Sequence, residues 1–145
     1  MFIAKILAVS ILTFAIATSS EGEAKDVAKL PAAEALDPLS DEDYSVLESG
    51  AACWLANSKS GQFLYDNMAN AVVRLNKKAV KLNRKSGAWD AGFYECGQTY
   101  EYLSVDSKVT VTVVMDKGKT CSGKLIVKSS QKPIVVSNLK SNCGA

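Results

Sequence analysis

From Ala52 to the end of the chain, apolar and polar residues alternate with a period of two, interrupted by short clusters of turn-forming residues. Val109, Val111 and Val113 alternate with Thr110 and Thr112, the clearest strand pattern in the chain. Asp116-Lys117-Gly118-Lys119 turns this segment back into Lys124–Lys128, and a short strand over Ile134–Val136 follows Pro133. Upstream, Cys53–Ala56 and Gln62–Tyr65 flank the turn cluster Asn57–Gly61. Val72–Leu75 and Lys78–Leu82 flank Asn76-Lys77, a tight hairpin because asparagine tolerates positive φ. Gly92–Cys96 and Thr99–Leu103 read as aromatic-rich strands around Gly97. About seven or eight short strands at spacings of roughly 8 to 12 residues predict an all-β fold, a single antiparallel β-sandwich or small β-barrel.

The pattern ahead of Ala52 is different. Lys5 precedes an apolar run from Ile6 to Ala17, and small residues follow at Ala15, Ala17, Ser19 and Ser20. This order is that of a secretory signal peptide over residues 1–20, with cleavage between about 17 and 24. The run is too short for a membrane span, which needs about 20 residues. The mature chain is therefore expected to be secreted or periplasmic, with no transmembrane span. Residues 21–50 form an acidic arm, in which Glu21 to Leu39, with Pro31 and Pro38, reads as a flexible linker. Ser40 followed by Asp41, Glu42 and Asp43 signals the start of a short helix near 40–49, ended by Gly50. Residues 51–145 are expected to form the β domain.

Composition sharpens this division. Between Glu21 and Gly50 there are nine acidic residues against two lysines; from Ala51 to Ala145 there are fourteen Lys and Arg against six acids. An acidic arm thus precedes a basic domain, a statement about partners more than about fold. The chain contains no histidine, which removes the common general base and the usual ligand of catalytic zinc. No nucleophile–base pair and no metal-ligand cluster can be assembled, so catalytic residues, metal and cofactors are all expected to be none.

Cys53, Cys96, Cys121 and Cys143 are even in number, lie in an exported chain and contain no C-x-x-C, which indicates two structural disulfides. Cys53–Cys143 with Cys96–Cys121 is the favoured pairing, and spacing leaves Cys53–Cys96 with Cys121–Cys143 open.

Six cations fall within twelve residues around the hairpin: Arg74, Lys77, Lys78, Lys81, Arg84 and Lys85. Their functional reading is a surface for an anionic glycan, a lipid head group or an acidic protein. The competing reading is a solvated face whose lysines blunt a sheet edge. A third is that the acidic arm lies across its own basic domain. Nucleic acid is not expected, because no aromatic-interleaved binding motif accompanies the charges. Trp89, on the glycine-flanked stretch Ser86–Gly92, is a candidate loop contact. Trp54, Tyr94, Tyr100 and Tyr102 could stack on a sugar, although aromatics on strands more often pack in the core.

Cys53-Trp54-Leu55, the run from Ala71 to Leu82 and the closing Cys143 resemble short exported bacterial proteins of unknown function. The general plan of signal, disulfides and small β domain is similar to that of periplasmic lysozyme inhibitors. These features point to an exported, non-enzymatic binding or structural protein of the bacterial envelope. The alternatives are an inhibitor of an exported enzyme, with Trp89 or a tyrosine on a protruding loop, and a carboxylate-based enzyme.

Overall fold

The computed structural model describes residues 32–87 and 94–144, all within one compact unit that begins at Ala32. The signal peptide, its cleavage region, residues 21–31 of the arm and Trp89 lie outside the described residues.

The chain order is β1 (Leu36–Asp37), α1 (Asp41–Tyr44), β2 (Ala52–Asn57), β3 (Gly61–Asp66), β4 (Asn70–Leu75), β5 (Lys78–Ser86), β6 (Thr99–Ser104), β7 (Thr110–Met115), β8 (Gly123–Lys128) and β9 (Ile134–Gly144). Strands β2 to β9 form an eight-stranded antiparallel meander, closed where β9 pairs with β2. The fold is therefore the barrel of the two expected forms. Closure removes the unpaired edges that an open sheet of this length would expose.

The interior is built by alternation. Leu55, Val73, Leu82, Tyr100, Tyr102, Val111, Val113, Leu125 and Leu139 all point inward and are fully buried. The outer face carries Lys81, Lys85, Glu101, Lys124 and Lys128, all exposed. A lipid-spanning barrel has the reverse arrangement, with an apolar band outside. Among the described residues, no helix is long and apolar enough to cross a membrane.

The hairpin expected at Asn76-Lys77 is present, with φ of 50° and 62° at these residues. Both central residues in the left-handed region match the twist of the flanking strands.

Three segments differ from the sequence reading. The linker expected through Leu39 is, from Ala32 onward, a strap bound across one mouth of the barrel. Gln131 Nε2 donates to Ala32 O at 3.3 Å, and Ser129 Oγ donates to Glu34. Asn76 N donates to Ala35 O at 2.9 Å, β1 pairs with the end of β4, and Leu39 N donates to Gln62 O at 2.7 Å. Strands β3 and β4 pair only at Tyr65–Val72 and Asp66–Ala71, and the strap fills the gap where they splay. Proline and acidic residues hid this element, because a two-residue strand shows no period.

The helix is one turn, Asp41–Tyr44, where about two were expected. The Asp43 carboxylate accepts from Ser40 N at 2.7 Å, which fixes its start. The chain then leaves the helix, and Leu47 is buried at 6% exposure.

The strand expected over Gly92–Cys96 is not formed by its described part, Tyr94–Cys96. Glu95 N is taken by the Tyr100 hydroxyl at 2.8 Å, and Gly97, at φ 81°, turns the chain into β6. Conversely, the expected three-residue strand at Ile134 runs to Gly144. A bulge at Asn138, φ 58°, breaks its alternation and conceals its length.

Candidate functional site

The two mouths of the barrel are built differently. The strapped mouth holds the short turns after β2, β4, β6 and β8. The opposite mouth holds the longer connections after β5 and β7, and also both disulfides.

Cys53–Cys143 and Cys96–Cys121 are both formed, and no free cysteine is present. The first joins residues that face each other across the β2–β9 seam, so it locks the closure of the barrel. The second ties the β5–β6 connection to the β7–β8 connection. Two disulfides indicate an oxidising, extracytoplasmic location.

The six cations of the basic hairpin separate into two groups. Lys77, Lys78, Lys81 and Lys85 are exposed. Arg74 and Arg84 are each engaged by a buried carboxylate. Arg74 Nη1 lies 2.8 Å from Asp43 Oδ1 and also donates to Ser40 Oγ at 2.8 Å. Burial by itself would raise the Asp43 pKa, but the Ser40 backbone, Arg74 and the Ser40 hydroxyl together hold it below its ordinary value. Asp37 accepts from Lys77 N at 2.7 Å. Among the described residues, Asp37 of the strap and Asp43 of α1 therefore lie on the basic hairpin.

Arg84 departs furthest from expectation, because it points into the barrel. It shares the parity of Val80 and Leu82, and its Nη2 lies 2.7 Å from Asp66 Oδ2, with side-chain exposures of 6% and 2%. The same carboxylate oxygen accepts from Tyr102 at 2.5 Å and Tyr94 at 3.1 Å, and the two phenols are 2.7 Å apart. The guanidinium also stacks 5.2 Å from the Tyr100 ring centroid and 5.6 Å from that of Tyr102. Burial, reinforced by the Asp66 charge, pushes the phenols of Tyr94 and Tyr102 up, so both stay neutral donors. The cluster fills the interior below the unstrapped mouth and pairs its own charges.

Tyr94, Tyr100 and Tyr102 are thus core residues and no sugar-stacking platform. Trp54 is partly buried on the outer face of β2. Asp66 was legible only through its parity with Leu64, two residues earlier.

Above the cluster lies a groove of about 470 Å³, lined by Tyr94, Thr120, Cys121 and the β9 segment Lys140–Cys143. Cys121 and Cys143 both line it, yet each is bonded elsewhere, to Cys96 and Cys53. Each disulfide holds one lining segment to a neighbouring element. Among the described residues the lining contains a lysine, three hydroxyls and an amide, and no carboxylate. Among the described residues, no group of three or more His, Cys, Asp or Glu is arranged to hold a metal ion.

Comparison of the chain with protein-family models, with curated proteins and with solved structures finds no match.

Proposed function

We propose that this is an exported binding protein of the bacterial envelope, acting without catalysis on an anionic partner. The observation that carries the reading is the division of the basic hairpin. Two arginines are engaged by buried aspartates, while Lys77, Lys78, Lys81 and Lys85 remain exposed along one strand and its turn. A partner meeting this face meets four mobile ammonium groups, and their attraction is screened beyond about 8 Å at physiological salt.

The absence of catalysis is supported by how the polar interior is used. Asp66 is saturated by one cation and two phenols, and those phenols hold their protons too tightly to act as bases near neutral pH. The test is retention on immobilised polyglutamate and polyglucuronate across a salt series. Retention should fall as salt rises, and a variant with Lys77, Lys78, Lys81 and Lys85 all changed to Glu should lose it by tenfold or more. Equal retention of that variant would reduce the hairpin to a solvated edge.

A further inference from the structure

The groove at the unstrapped mouth has a second property, which follows from strand register. Residues Ala52–Ala56 of β2 pair with Lys140–Gly144 of β9, whereas β8 pairs with β9 no further than Gly123–Leu139. The last five residues of β9 therefore have a strand on one side only among the described elements.

Register also says which backbone groups are left. In an antiparallel ladder, directly opposed residues alternate between hydrogen-bonded pairs, with Cα atoms near 5.5 Å, and non-hydrogen-bonded pairs near 4.5 Å. Cys53 and Cys143 are 4.1 Å apart, so they are a non-hydrogen-bonded pair. Ser141, opposite Leu55, has the same phase. The N–H and C=O of Ser141 and Cys143 therefore point away from β2 and into the groove. Among the described residues neither has a backbone partner there.

An accessible strand edge with free donors and acceptors is a template for one more strand. The barrel leaves this short edge because β8 stops pairing with β9 at Gly123–Leu139, while β2 continues to pair as far as Gly144.

We propose that this edge captures an extended acidic peptide segment of a partner protein, by strand addition along Ser141–Cys143. The inference rests on the proposed function only for the sign of the partner's charge, since the edge itself uses none of the hairpin lysines. The pleat assigns the side chains. Ser141 and Cys143 point inward, above Tyr94, while Lys140 points outward and is exposed. An added strand would lay small apolar residues over Tyr94 and the Cys96–Cys121 bridge. Its alternate residues would stand beside Lys140, where carboxylates are attracted and no described lining residue is a carboxylate.

The test uses the mature protein and a capped hexapeptide of alternating valine and glutamate. Binding should shift the backbone amide resonances of Ser141 and Cys143. It should weaken at least tenfold when the peptide is N-methylated, or when lysine replaces glutamate. Ser141→Pro should abolish binding, because it removes a groove-facing N–H that β2 does not use. The four-lysine reversal on the hairpin should leave it intact, which separates this site from the one proposed above. Equal binding of the N-methylated peptide would overturn the proposal without any variant having to fold. So would shifts confined to Lys77–Lys85, or a groove occupied by polyglucuronate in place of the peptide. In the free protein, Ser141 and Cys143 amides should exchange faster with solvent than those of Lys140 and Asn142, and uniform protection of all four would also overturn it.

Discussion

Arg84 reaches Asp66 through the inside of the barrel, 2.7 Å from a strand two positions away, and both side chains are almost fully buried. A buried pair of this kind contributes little when compared with an apolar substitute. Its loss is costly because one charge remains behind. Asp66→Asn should therefore destabilise the fold by about 3–5 kcal/mol in chemical denaturation. Lys81→Gln, on the outer face of the same strand as Arg84, should stay within about 0.5 kcal/mol of the parent.

The phenols that share Asp66 should be silent in an alkaline titration. Burial, with the charge of Asp66 behind it, raises both Tyr94 and Tyr102 above their ordinary 10.0. Groups with a raised folded pKa stabilise the fold below the unfolded value, and that stability is lost as pH climbs toward the folded one. Phenolate absorbance should show these two failing to ionise near pH 10.0 until the protein unfolds. Ionisation of every tyrosine near that pH, with the fold intact, would contradict the buried cluster.

The Asp43–Arg74 contact that fastens the strap has the opposite pH sense. Asp43 is held below its ordinary 3.8, so its contribution is complete above that value and declines as the pH falls through the lower folded one. Asp43→Asn should flatten the stability profile below pH 3.8 and leave its slope near neutrality unchanged. Stability against pH, measured for parent and variant, checks both statements.

The disulfides should differ in weight. Cys53–Cys143 spans 90 residues and Cys96–Cys121 spans 25. By loop-closure entropy the two contribute about 4.6 and 3.5 kcal/mol, so replacing the first pair with serine should cost about 1 kcal/mol more. Denaturant midpoints of the two double variants give the comparison.

Gly87 tests the packing of the β5 exit. At φ 128° an added Cβ would lie 2.3 Å from Tyr100 Cδ1, deep in the core. Gly87→Ala should lower the melting temperature sharply, whereas Gly118→Ala, with nothing within 4 Å, should not. Equal behaviour of the two would mean that the tyrosine does not sit where described.

Much of the barrel was legible in the sequence because alternation survives wherever one face is buried. Val109–Val113 announced β7, and Asn76-Lys77 announced a turn whose residues do occupy the left-handed region. Three features were hidden. The strap has too few residues to show a period, and it gains its place from a gap between β3 and β4 that only the assembled barrel possesses. Arg84 carried the right signal, the parity of Val80 and Leu82, but its charge made a solvated position the simpler reading. A cation inside a barrel makes sense only once Asp66 is seen opposite it. The groove was hidden for a third reason: the bulge at Asn138 ends the visible alternation just before the residues that form its edge.

The strap gives the molecule a direction. The chain enters at Ala32, beside the β8–β9 turn, and its last described residue, Gly144, lies at the other mouth beside Ala52. The described chain therefore begins at the strapped mouth, at the opposite end of the barrel from the groove. An affinity tag appended after Ala145 would instead emerge beside the exposed strand edge and compete with whatever docks there. For binding experiments, the choice of terminus decides whether the groove is presented or obstructed.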